Sequence, residues 1–118
     1  MENTALIIEI LEEFWGYECE IAGPTNTEDI ALGVSGFTKV DGASNLDLQT
    51  ALTTLVLGVE LVKHSLEVYK ALSSNSSKKP SSKDFKNKVE QGISEQLNQI
   101  EESKRFNVYE EILKKLNI

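Results

Sequence analysis

The chain has 118 residues, 40% hydrophobic and 26% charged, with a net charge of −7. That length suits one domain with a modest core shared by most of its elements. The negative balance disfavours nucleic acid and anionic membrane surfaces as partners, because both are met by clustered lysine and arginine.

The charge is uneven. Residues 1–72 hold twelve acids against three bases, Lys39, Lys63 and Lys70, whereas residues 73–118 hold seven acids against nine bases. The plain reading is a solvated acidic face with a mildly basic tail. The functional reading is attraction between the two parts, within a chain or between chains. Cys19 is the only cysteine, which excludes an internal disulfide and fits a reducing, cytoplasmic compartment. No basic, apolar and small-residue series opens the chain, so a signal peptide is not expected. The densest apolar run, residues 51–62, falls well short of the roughly 20 residues a membrane span needs.

Residues 4–15 predict a first helix, capped by Asn3 or Thr4, with Ile7, Ile10, Leu11 and Phe14 on one stripe. Gly16 is a natural stop. Tyr17, Cys19 and Ile21 then alternate with Glu18 and Glu20, the pattern of a short half-buried strand ended by Gly23-Pro24. Ile30, Leu32 and Val34 alternate as well. The segment reads as a second strand pairing with the first or as one turn of helix; with glycines at 33, 36 and 42 opposing a helix there, the strand is preferred, continued by residues 37–40.

Residues 46–72 organise the chain. Leu48, Leu52, Leu55, Val59, Val62, Leu66 and Tyr69 follow at steps of four and three, one continuous seam on a helix. Leu57, Leu61, Val68 and Leu72 form a second stripe beside it, so the helix predicts neighbours on more than one side. Ser44 to Asp47 has the form of a capping box. At 1.5 Å per residue the helix would be about 40 Å long, and ordering it without packing partners would cost at least what its seam gains.

Residues 73–83 contain six serines, a proline and no apolar residue, a linker composition. Phe85, Val89, Ile93, Leu97 and Ile100 then make a thin stripe that predicts one long polar helix, weakened in its middle by Gly92. Asn107 to Glu110 repeats the capping-box pattern and predicts a short last helix carrying Val108, Tyr109, Ile112, Leu113 and Leu116.

The residues that could carry chemistry are few. His64 is the single histidine and is expected as a surface or boundary residue on the central helix rather than as a base beside a nucleophile. Cys19 reads as a small buried hydrophobe. One histidine and one cysteine cannot build a thiolate- or imidazole-rich metal site, and Glu28, Asp29, Asp41 and Asp47 lack the spacing of a calcium loop. Residues 33–36, Gly-Val-Ser-Gly, bring the second glycine one residue too early for a nucleophile elbow. Trp15, with Phe14 and Tyr17, either pins the core or anchors a partner.

The sequence therefore predicts a mainly α fold: a small helical bundle around one long central helix, with a short two-stranded β element near the N-terminus. Its parts are an acidic domain at 1–72, a serine-rich linker at 73–83 and C-terminal helices at 84–118. No enzyme, cofactor or metal is expected. The expected function is a protein-interaction module or adaptor that self-associates through its helix stripes. The alternative is a small acidic regulator, an inhibitor or immunity-type protein of the kind found in bacterial defence systems, meeting a basic target surface. The interface candidates are Trp15, Leu55, Val59, Val62, Leu66, Tyr69, Ile93, Leu97, Ile100, Tyr109 and Leu113.

Overall fold

A computed structural model describes residues 3–33, 46–74 and 80–116. The described residues form six α-helices and one 3₁₀ turn: α1 (Asn3–Phe14), α2 (Gly16–Ala22), α3 (Pro24–Leu32), α4 (Leu46–Ser74), α5 (Ser82–Gln91), the turn Leu97–Gln99, and α6 (Glu102–Leu116). They divide into two compact units, Met1–Val59 and Glu60–Ile118, and the dividing line falls inside the 29-residue α4.

In the first unit the expected β element is replaced by helix. Tyr17 to Ile21 lies in α2, and Ile30 and Leu32 lie in α3. Alternation over five residues is too short to outweigh backbone hydrogen bonding that is already under way. Bonds from each amide to the carbonyl four residues back continue through both corners: Trp15 to Leu11 at 2.7 Å, Cys19 to Trp15 at 2.9 Å, Gly23 to Cys19 at 2.9 Å and Thr27 to Gly23 at 3.0 Å. Gly16 does not stop the chain. It leaves helical geometry for one residue, Trp15 (φ −130°, ψ 40°), and re-enters it.

The second corner is sharper. Gly23 takes φ 89°, open to glycine and strained for other residues, and Pro24 occupies the first turn of α3, where a missing amide hydrogen costs nothing. Two buried side chains close this corner: Asn26 Nδ2 donates to the Ala22 carbonyl (3.0 Å) and Thr27 Oγ1 to the Gly23 carbonyl (2.9 Å). Gly33, in the left-handed region at φ 78°, caps α3. The expected continuation of the second strand at Val34 and residues 37–40, and the Ser44 capping box, lie outside the described residues.

The interior of this unit is Ile7, Ile10, Leu11, Trp15, Ile30, Ala31, Leu48, Ala51, Leu55 and Val59. Gly58 lets α1 and α4 approach closely. A Cβ there would lie 3.0 Å from Leu11 Cδ2 and 3.1 Å from Trp15 Cζ3.

In the second unit the C-terminal half of α4 packs with α5 and α6 around Leu61, Val62, Leu66, Phe85, Val89, Val108, Tyr109, Ile112 and Leu113. Rings meet edge-on along Tyr69, Phe85 and Tyr109, at centroid distances of 6.0 and 6.1 Å. Ser81 caps α5 by accepting from the Asp84 amide at 3.1 Å. The expected single polar helix over residues 85–100 is broken: α5 ends at Gly92. Beyond it, Ile93 is half-buried while Leu97 and Ile100 are buried on a separate 3₁₀ turn, which Ser94 starts by accepting from the Leu97 amide at 3.2 Å. The last helix begins five residues before Asn107, at Glu102, with the Arg105 amide donating to the Glu101 carbonyl at its start (2.9 Å).

Candidate functional site

Nine of the eleven interface candidates are interior residues. Trp15, Leu55 and Val59 are buried in the first unit, and Val62, Leu66, Leu97, Ile100, Tyr109 and Leu113 in the second; Tyr69 and Ile93 are half-buried. The stripes that stand out in the sequence thus fill cores. His64 is half-buried, and its Nε2 donates to the Val89 carbonyl near the end of α5 (3.0 Å). Its ring stands where a Cβ on Gly92 would go, with Cε1 2.9 Å from that position. Gly92 therefore ends α5 and leaves room for His64 together.

Two residues that the sequence does not single out, Glu90 and Arg105, form the strongest polar cluster, and Tyr109 joins them. Arg105 grips the Glu90 carboxylate with two bonds, Nε to Oε2 at 2.9 Å and Nη2 to Oε1 at 3.0 Å. Its remaining nitrogen, Nη1, donates to the carbonyls of Ile100 and Asn98 and so ties down the 3₁₀ turn. The Tyr109 hydroxyl donates to Glu90 Oε2. Burial alone would raise the Glu90 carboxyl, but the bonds from Arg105 and Tyr109 outweigh it and hold it below the usual carboxylate range. Burial, aided by the Glu90 charge, pushes the Tyr109 phenol far above its usual value. With its bonds spent on one another and on the 3₁₀ turn, this cluster is a clamp. Its only signal in the sequence is an acid and an arginine fifteen residues apart, which no helical or strand spacing flags.

The first unit carries an open groove of about 720 Å³ between α1, α2 and α3. Its floor is Ile8, Gly16, Cys19, Gly23 and Pro24. Each helix sends one exposed glutamate to the rim: Glu12 from α1, Glu20 from α2 and Glu28 from α3. Cys19 is half-buried in this floor and is not a core residue. Burial pushes its thiol up, and the charges of Glu12 and Glu18 add to the effect, against a hydrogen bond with Thr27 that lowers it. No three histidine, cysteine, aspartate or glutamate side chains among the described residues are placed to hold a metal ion. No helix among them is long and apolar enough to cross a membrane. Compared with protein-family models, curated proteins and solved structures, the chain matches none.

Proposed function

We propose that the chain is a non-enzymatic protein-interaction module whose acidic first unit engages a basic surface of another protein, as an adaptor or an inhibitor-type regulator. The observation that carries this reading is how charge divides between the units. Residues 1–59 hold ten acids and one base, Lys39, whereas residues 60–118 hold nine acids and eleven bases. Like charge gathered on one small unit opposes its folding and favours an oppositely charged partner.

The chemistry of the candidate nucleophile supports the same reading. A catalytic cysteine needs a depressed thiol pKa, and that of Cys19 is raised. The single imidazole gives its Nε2 proton to a backbone carbonyl.

Salt-stepped affinity capture tests the proposal. Partners held by the immobilised chain at low salt should be released between about 0.1 and 0.5 M, where the screening length falls well below 10 Å. Retention through ~1 M salt would move the interface to an apolar surface. Light scattering at two concentrations tests self-association. A mass of 13.1 kDa leaves the acidic face as the interface, and twice that mass assigns half-buried Leu52, Val56 and Ile93 to contacts between copies.

A further inference from the structure

We infer that the groove between α1, α2 and α3 is the docking site for a basic peptide segment of a partner protein, one that places an apolar side chain between lysines or arginines. This deepens the reading of the acidic first unit and rests on it.

The groove supplies two complementary features. Its floor is apolar, and two glycines leave it open: a Cβ on Gly16 or Gly23 would meet nothing within 4 Å. Its rim is anionic, with one exposed glutamate from each of three helices. No base lines it among the described residues, and residues 1–59 hold a single base against ten acids. An anionic metabolite, a nucleic acid or an anionic lipid surface would be repelled. A simple cation would satisfy the rim and leave the floor wet. An open trough, unlike a closed cavity, admits a stretch of chain. The occupant that satisfies all of these is a cationic segment with an apolar anchor.

The test measures fluorescence anisotropy of labelled synthetic peptides with the full chain. A lysine–leucine peptide should bind, a lysine–serine peptide should bind at least about tenfold more weakly, and a glutamate–leucine peptide should not bind. Gly16→Leu fills the floor from a position with ordinary helical geometry and open space around it. It should weaken the lysine–leucine peptide about tenfold while leaving the unfolding midpoint unchanged. Should Gly16→Leu fold poorly, alkylating Cys19 of the folded wild-type chain with a bulky maleimide blocks the same floor and should weaken binding alike. Joint replacement Glu12→Gln, Glu20→Gln and Glu28→Gln should weaken binding and flatten its salt dependence.

If filling the floor and neutralising the rim both leave binding as in wild type, the peptide sits elsewhere and the groove is excluded, while the acidic-face reading stands. If only the glutamine variant loses binding, the apolar anchor is overturned. If the lysine–leucine peptide fails to bind the wild-type chain at about 50 mM salt, groove and acidic face fall together.

Discussion

The two units are built on opposite principles. The first joins consecutive helices by corners of one residue, Trp15 and Gly23, and bridges the second corner with Asn26 and Thr27, each bonded to a carbonyl four residues back. The second is tied by polar contacts between residues far apart in sequence: Arg105 to Glu90, Tyr109 to Glu90, Lys86 to Glu110 at 2.7 Å, and His64 to Val89. Charge composition explains the contrast. With ten acids against one base, the unit has little charge complementarity of its own, so apolar packing and local backbone bonds carry most of it, and Glu9, Glu12, Glu13, Glu20 and Glu28 are exposed. The second unit has bases in excess, buries Arg105 and pairs Lys86 and Lys115 with Glu110 and Glu111 nearer the surface. One unit therefore presents its charge outward, where a partner can use it, and the other consumes its charge in holding its shape.

The largest effect that could break this contrast is a charge in the apolar interior of the first unit. Leu55 is fully buried, so Leu55→Asp should cost about 4 kcal/mol or more and unfold that unit. Trp15, the only tryptophan, is buried in the same unit, and its fluorescence should report the loss directly. Unchanged Trp15 emission and melting would mean that the seam of α4 does not form this core. The matching change in the second unit is Arg105→Ala. It leaves Glu90 with Tyr109 alone and frees the Ile100 and Asn98 carbonyls. The cost should be about 3 kcal/mol, at the low end for a broken buried pair because a quarter of the Glu90 side chain is exposed. Amide exchange should quicken first over residues 97–105; uniform exchange would argue that Arg105 does not pin the turn.

How legible these features were follows from the distance between the residues that make them. The α4 seam and the α1 stripe are repeats within one helix, and periodicity reads them directly. The alternation at residues 17–21 misled because Tyr17, 71% exposed, belongs to no buried face, while the bonds that keep the chain helical start upstream at Leu11. Gly92 was visible as a weak point in a helix. Its closeness to His64, 28 positions away, and the clamp between residues 90 and 105 lie outside any local window. The groove was hidden for the same reason. Its floor is made largely of glycines, a proline and a cysteine, which carry no periodic signal, and its three rim glutamates are ordinary surface residues until three helices bring them around one trough.

A pH titration sharpens the comparison, because the acid-sensitive clamp lies in the second unit alone. The Glu90 carboxyl is held low in the folded state, so its contribution is complete above the unfolded value of about 4.3 and is lost as pH falls through the folded value. Tyr109 is raised, so its contribution is complete below about pH 10 and is lost as pH rises beyond that. Cys19, also raised, gives the first unit an alkaline loss beginning near pH 8.5. Urea unfolding at pH 7 and below pH 4 should thus weaken the Tyr109 region by amide exchange more than it weakens the Trp15 region by fluorescence. Equal weakening would mean that the clamp contributes no more than the average carboxylate.

The smallest expected effect concerns the junction of His64 and Gly92. The backbone angles of Gly92 (φ −101°, ψ 11°) are open to any residue, so conformation alone does not require glycine there. The neighbour does: an alanine Cβ would meet His64 Cε1 at 2.9 Å and Nε2 at 3.2 Å, pushing the ring off the Val89 carbonyl. Gly92→Ala in the wild-type chain should therefore lose about 1 kcal/mol of hydrogen bonding and regain about 0.4–1 kcal/mol from a less flexible unfolded chain, a net change near zero. With His64→Ala already in place the clash is gone, and the same substitution should stabilise by about 0.4–1 kcal/mol. A double-mutant cycle by urea unfolding should thus return a coupling of about 1 kcal/mol between two residues 28 positions apart. Zero coupling would mean that α5 ends at Gly92 for reasons of local backbone alone, which would make this end of the second unit as locally determined as the corners of the first.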